Sequence, residues 1–417
     1  MATSAKSLTT PQRILLGLLV ASIFLNYIDR SNLSLAAPLV QKEFALSDTA
    51  LGSLFSAFFW TYALLQLCGI AGWFADRYPV GLVLAAGVFL WSVATLLTGV
   101  LSGFAPLFAA RLLLGAGESV AYPCYSRIFA TEIPAERRGM ANALIDAGSK
   151  VGPALGTLVG GILLATVGWR MFFVALGVLS LLWLVPWSRA GLMAGKPEAK
   201  AASHHTGGPA TVEILTKRSA WGAFFGHFCG NYVWYFLLTW LPTYLIRDRG
   251  FQTAAMVQIT SISLFAIAGA TICAGWVSDR WIASGATPTR VRKTVVCCGL
   301  GGSTVILLVA MVRDNMLALG LLMLASMSFG VYASNHWAIT QTLAGPLAAG
   351  RWTSLQNGVG NLAGIVASWL TGAVVDRTHS FALAFAVTGC IALTGAFLWG
   401  VVVGPVRQVK WESEAAV

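Results

Sequence analysis

The sequence predicts an all-α integral membrane protein, with twelve transmembrane helices in two six-helix bundles. Three observations predict it. Of 417 residues, 57% are hydrophobic and only 10% are charged, against roughly 25% charged in soluble domains. So little charge leaves too little polar surface to keep a soluble fold dissolved. Apolar stretches of membrane-crossing length recur along the chain, and the basic residues between them favour alternate sides.

Taken in order, the apolar stretches fall at about 14–40, 49–75, 80–103, 105–130, 139–167 and 169–188. A polar stretch from Arg189 to Arg218 follows, with Lys196-Pro-Glu-Ala-Lys200 and Ser203-His-His-Thr-Gly-Gly-Pro209. Its composition is that of a flexible linker. Six more stretches fall at about 219–246, 254–278, 293–312, 315–343, 352–375 and 381–404. The expected organisation is a first bundle over 1–188, a cytoplasmic linker over 189–218 and a second bundle over 219–417. The first stretch is too long, and too often interrupted by polar residues, to be a cleaved signal peptide. With the N-terminus placed in the cytoplasm, inside segments carry 18 of the 27 basic residues and outside segments carry six. The positive-inside rule then puts both termini and the linker in the cytoplasm. The expected location is a cell membrane, the inner membrane of a bacterium.

The same pattern excludes other classes. A net charge of +11 would suit nucleic acid, but the charges lie between apolar runs and serve orientation, so no nucleic-acid partner is expected. The seven cysteines show no metal-binding or CxxC spacing and are read as small buried hydrophobes. The chain has no HExxH, no nucleophile elbow and no metal-ligand cluster, so neither an enzyme nor a cofactor is expected. His227 and His336 look too isolated in sequence to act as a pair. The 16 Trp and 44 Gly suit a bilayer, where Trp anchors interfaces and Gly admits close helix contact.

Six charges fall inside spans, all in the first half: Asp29, Arg30, Arg111, Glu118, Asp146 and Lys150. At 1.5 Å per residue, Arg30, Glu118 and Lys150 each lie roughly 18 Å from an end of their helix, near the midplane. A charge there costs about 2.5–3.5 kcal/mol on the insertion scale. Such residues are kept where they pair or mark a pathway. Asp146 and Lys150 are four apart, the spacing of a helical pair, so a structural ion pair is the competing reading for them.

The halves also look like a repeat. Leu144-Ile-Asp-Ala-Gly-Ser-Lys150 in the fifth stretch aligns with Leu355-Gln-Asn-Gly-Val-Gly-Asn361 in the eleventh, so a charged pair becomes an amide pair. Gly72-Trp-Phe-Ala-Asp-Arg77 follows the second stretch, and Gly275-Trp-Val-Ser-Asp-Arg280 follows the eighth. Asp76, Arg77, Asp279 and Arg280 are read as a conformational latch at cytoplasmic helix ends. Repeats of this kind are the plan of many secondary transporters.

On these motifs the chain resembles the major facilitator superfamily over nearly its whole length, and within it the anion:cation symporter family. That family includes bacterial carriers of sugar acids and animal carriers of glutamate and sialic acid. The match is carried by Asn26-Tyr-Ile-Asp-Arg-Ser-Asn32, Ser56-Ala-Phe-Phe-Trp-Thr-Tyr-Ala-Leu-Leu-Gln66, Arg111-Leu-Leu-Leu-Gly-Ala-Gly-Glu118 with Tyr122-Pro123, Asn231-Tyr-Val-Trp-Tyr235 with Trp240-Leu-Pro242, and Asn361-Leu-Ala-Gly364. The resemblance implies the major facilitator fold and a monomer. It implies that Arg30 binds the substrate carboxylate, Glu118 carries the coupled proton, Asp29 is a second titrating or gating acid and Arg111 tunes Glu118. It also implies that Tyr62, Gln66 and Asn357 contact substrate hydroxyls. The chemistry agrees: a guanidinium offers a carboxylate two parallel donors, and a carboxylic acid in an apolar cleft takes a proton more readily than one in water.

The chain departs from the family in places. The loop after Arg77 runs Tyr78-Pro-Val-Gly81, without the usual basic cluster. Gly230 stands where the animal glutamate carriers have an arginine, and Lys150 where some galactonate-like members have an uncharged residue. Lys150, Tyr235, Gln341 and Asn361 join the expected substrate-binding residues. The expected activity is proton-coupled import of a small organic anion by alternating access, with sugar acids first. The alternatives are aromatic acids, which Trp60, Trp234, Trp240 and Trp337 would suit, dicarboxylic acids, and a polyspecific drug exporter. No cofactor is expected beyond the coupling proton.

Overall fold

In a computed structural model the chain is helical throughout the described residues, which are 8–133, 135–193 and 211–411. Among the described residues, ten helices are long and apolar enough to cross a membrane. Two further facts bring the count to the twelve expected. Ala147–Arg189 contains Gly168 at φ 78°, a left-handed turn inside one continuous run, which divides it into the fifth and sixth spans. Arg218–Arg247 is long enough to cross but polar, carrying His227, Asn231 and several Tyr and Trp residues.

Local sequence fixes where helices begin. Thr9 accepts from the backbone N–H of Gln12 while the Gln12 side chain returns the bond, so a capping box opens Thr10–Glu43. Thr287 before Pro288 opens Pro288–Gly302, and Asp314 opens Asn315–Ala333.

Two spans are broken partway. The fourth runs Phe104–Glu118, turns at Ser119 and Val120, and resumes as Ala121–Glu132. The tenth runs Asn315–Ala333, turns at Ser334 and Asn335, and resumes at His336 in a helix that extends to Thr378. A second left-handed glycine, Gly345 at φ 63°, separates that continuation from the eleventh span.

The helices group into two compact units. One comprises residues 1–46, 53–199 and 252–261; the other comprises 47–52, 200–251 and 262–417. Within the second unit, the Asp376 carboxylate accepts the backbone N–H groups of Asp48 and Thr49 at 2.9 and 3.1 Å, capping the second span, and Asp48 pairs with Arg247. Most of the expected linker, and the side chains of Asp76, Asp146 and Asp279, lie outside the described residues.

Candidate functional site

In the first unit, Arg30 sits midway along Thr10–Glu43 and Glu118 ends the first half of the broken fourth span. The fold brings them together: Arg30 Nε donates to Glu118 Oε2 at 2.7 Å, with both residues buried. The Arg30 guanidinium also lies against three ring faces, 4.4 Å from Tyr62, 4.5 Å from Tyr27 and 5.1 Å from Phe58. Aromatic faces attract a cation most when water is absent. Arg111 is buried too, its guanidinium 5.3 Å from the centre of the same Phe58 ring.

Gln66 and Tyr27 lie beside this pair. Asp29 is buried, with Asn32 Nδ2 at 3.4 Å and Ser180 Oγ at 3.5 Å. Gln66 Nε2 donates to the Ser119 carbonyl in the turn after Glu118, at 3.4 Å. The Tyr27 and Tyr122 hydroxyls meet at 3.3 Å. Lys150 is half-buried. Sequence reasoning gave no role to Tyr27, Phe58 and Tyr122, although all three stand inside the quoted motifs.

The second unit carries a polar ladder. His227, Asn231 and Tyr235 are spaced four apart on Arg218–Arg247 and share one face. Tyr235 Oη donates to Asn361 Oδ1 at 2.6 Å, and Asn361 Nδ2 donates to Asn357 Oδ1 at 3.0 Å. Three expected substrate ligands are thus joined, and the amide pair expected from the repeat is formed. Gln341 is exposed.

The two histidines, too isolated in sequence to be read as a catalytic pair, are hydrogen-bonded packing residues that meet in space. The His227 and His336 rings stack at 5.0 Å and 14°. They were unreadable as a pair because they are far apart in sequence, and the break in the tenth span sets the position of His336. The tryptophans also divide. Trp240 is fully buried and donates to the Ser368 carbonyl, so it is core and neither an interface anchor nor a stacking platform. Trp337 packs on both histidines.

Of the expected latch, Arg77 is exposed and Arg280 lies 4.0 Å over the Trp276 ring. Gly230 has a steric reason to be glycine: a Cβ there would collide with the Tyr332 ring. An arginine at this position has no room.

Comparison with known proteins decides the family. Residues 19–368 match the model of the Major Facilitator Superfamily. The chain belongs to that superfamily. It is a multi-pass membrane transporter and not an enzyme. It is 28% identical to a D-galactonate transporter of Escherichia coli, covering 93% of this chain and 94% of that one. It is 30% identical to "Probable sulfoacetate transporter SauU" of Cupriavidus necator, covering 97% and 96%. It is 29% identical to "Probable galactarate/D-glucarate transporter GudP" of Bacillus subtilis, covering 94% and 91%. The crystal structure of a bacterial homologue of the human lysosomal transporter Spinster superposes with a TM-score of 0.80 at 17% identity, covering 95% of this chain and 97% of that one. That likeness is one of fold.

Proposed function

We propose that this transporter imports small organic anions with protons, sugar acids first, and that Arg30 and Glu118 form the coupling unit. The observation that carries the reading is the buried Arg30–Glu118 ion pair at 2.7 Å. A buried pair stripped of one partner is strongly destabilised, by about 3–5 kcal/mol. An incoming carboxylate can therefore displace Glu118 from Arg30 only if Glu118 loses its charge, and a proton does that. Substrate and proton enter together because each removes the penalty the other creates. The relatives named for galactonate, galactarate/D-glucarate and sulfoacetate support an anionic substrate.

The other residues take supporting roles. Substrate contact is assigned to Tyr62, Gln66, Lys150, Tyr235, Gln341, Asn357 and Asn361. Arg111 and Asp29 tune or share the coupling proton. The latch Asp76, Arg77, Asp279 and Arg280 serves alternating access. The basic-residue bias places both termini in the cytoplasm. The test is uptake of galactonate by proteoliposomes with the outside acidified. Accumulation that a protonophore abolishes supports the reading. Uptake indifferent to both pH gradient and protonophore rejects the coupling.

A further inference from the structure

The tenth span breaks in the second unit where the fourth breaks in the first. Counted along the two sets of six, these are equivalent spans. The fourth breaks directly after a titratable residue, Glu118, and the tenth directly before one, His336. Irregular backbone at membrane depth is tolerated where it lines a cavity or site.

Around the second break three rings form a stack. His336 lies between Tyr332, at 5.1 Å and 18°, and His227, at 5.0 Å and 14°. Trp337 closes against both histidines, at 4.9 and 4.8 Å, and is half-buried. The hydrogen bonds set the chemistry. His336 Nδ1 lies 3.0 Å from the Ala333 carbonyl, which can only accept, so the Nδ1 carries hydrogen and Nε2 is the basic atom. His227 Nε2 meets Asn231 Nδ2 at 3.3 Å. The His227 edge bearing Cδ2 and Nε2 packs on Gly360, where a Cβ would collide with it. Nδ1 is on the opposite edge, buried and without a hydrogen-bond partner among the described residues.

A buried ring nitrogen left without a partner costs stability, and points to a group that arrives. The titratable group facing His227 among the described residues is His336, which Tyr332 flanks in turn. Among the described residues His227 makes no ion pair. Two imidazolium rings at 5.0 Å would repel, so the stack can hold one proton. The sequence puts no clear charge at mid-depth in the second six spans, so an anionic group docking there would meet a cation only if the stack accepts that proton.

We propose that the His227–His336 stack is a substrate subsite that receives a carboxylate of a dicarboxylic sugar acid and takes up one proton from water with it. The proton adds to an imidazole nitrogen, and the resulting imidazolium pairs with the carboxylate. This rests on the organic-acid reading above and narrows its substrate class.

The test is calorimetric titration of the purified transporter with galactonate and with galactarate, each in two buffers of different ionisation enthalpy, which counts the protons taken up. The wild type should take up about one more proton with galactarate than with galactonate. His227→Gln and His336→Gln should lose the extra proton, and their galactarate-to-galactonate affinity ratio should fall by at least about tenfold. Equal proton uptake for the two acids in the wild type overturns the subsite, and so does an extra proton that survives in both variants. Because the wild-type comparison needs no variant, a folding failure of either variant does not rescue the proposal. Binding of galactonate alone overturns the subsite while the organic-acid reading stands; binding of neither acid overturns both.

Discussion

At the residue scale, one geometry concentrates the function. Arg30 is held by Glu118 on one side and by the rings of Tyr27, Phe58 and Tyr62 on others. Those rings hold a planar cation in place, and its guanidinium has the fork geometry that matches a planar carboxylate. A lysine would keep the charge and lose the fork. Arg30→Lys should therefore weaken substrate binding by at least about tenfold, or about 1.4 kcal/mol, in a titration of the purified protein; equal affinity would move the anion site elsewhere. Glu118→Gln separates coupling from binding. The amide keeps the shape and cannot carry the proton. Accumulation against a gradient should vanish, while exchange of internal for external substrate continues. A variant that still concentrates substrate removes Glu118 from the coupling step.

At the element scale, the spans were legible from hydropathy and the breaks were not. Runs of apolar residues over Val80–Val100 or Ala382–Phe397 leave no other reading. Arg218–Arg247 falls below the hydropathy of the other spans, and the residues that lower it, His227 and Asn231, are members of the polar ladder. The turns at Ser119–Val120 and Ser334–Asn335 contain neither proline nor glycine, the residues that usually announce a break. They follow from tertiary packing. Gly230 shows how tight that packing is, since a Cβ there would overlap the Tyr332 ring that opens the three-ring stack. Gly230→Ala should destabilise the protein by about 1–3 kcal/mol, the usual cost of overpacking. Thermal unfolding of the purified variant reads the effect. An unchanged midpoint would mean that Tyr332 shifts aside freely.

At the scale of the whole molecule, charge arithmetic sets the driving force. The repeat, the six-plus-six pattern and the Arg30 and Glu118 motifs could be read directly, but their pairing could not, because 88 residues separate them. That pair is itself neutral: one guanidinium and one carboxylate. With a monocarboxylate on Arg30 and a proton on Glu118, the loaded pair is neutral as well. One monoanion and one proton together move no net charge. A pH gradient, acidic on the side from which substrate is taken, should therefore drive galactonate accumulation. A potassium diffusion potential of either sign, imposed with valinomycin at equal pH, should not. The two gradients are imposed separately on the same proteoliposomes, and initial rates are compared. Uptake driven by an inside-negative potential alone would require a second proton per substrate. Asp29 is the buried carboxyl placed to carry it, beside Asn32 and Ser180 in the same unit. In that outcome Asp29→Asn should remove the voltage response and leave the response to pH.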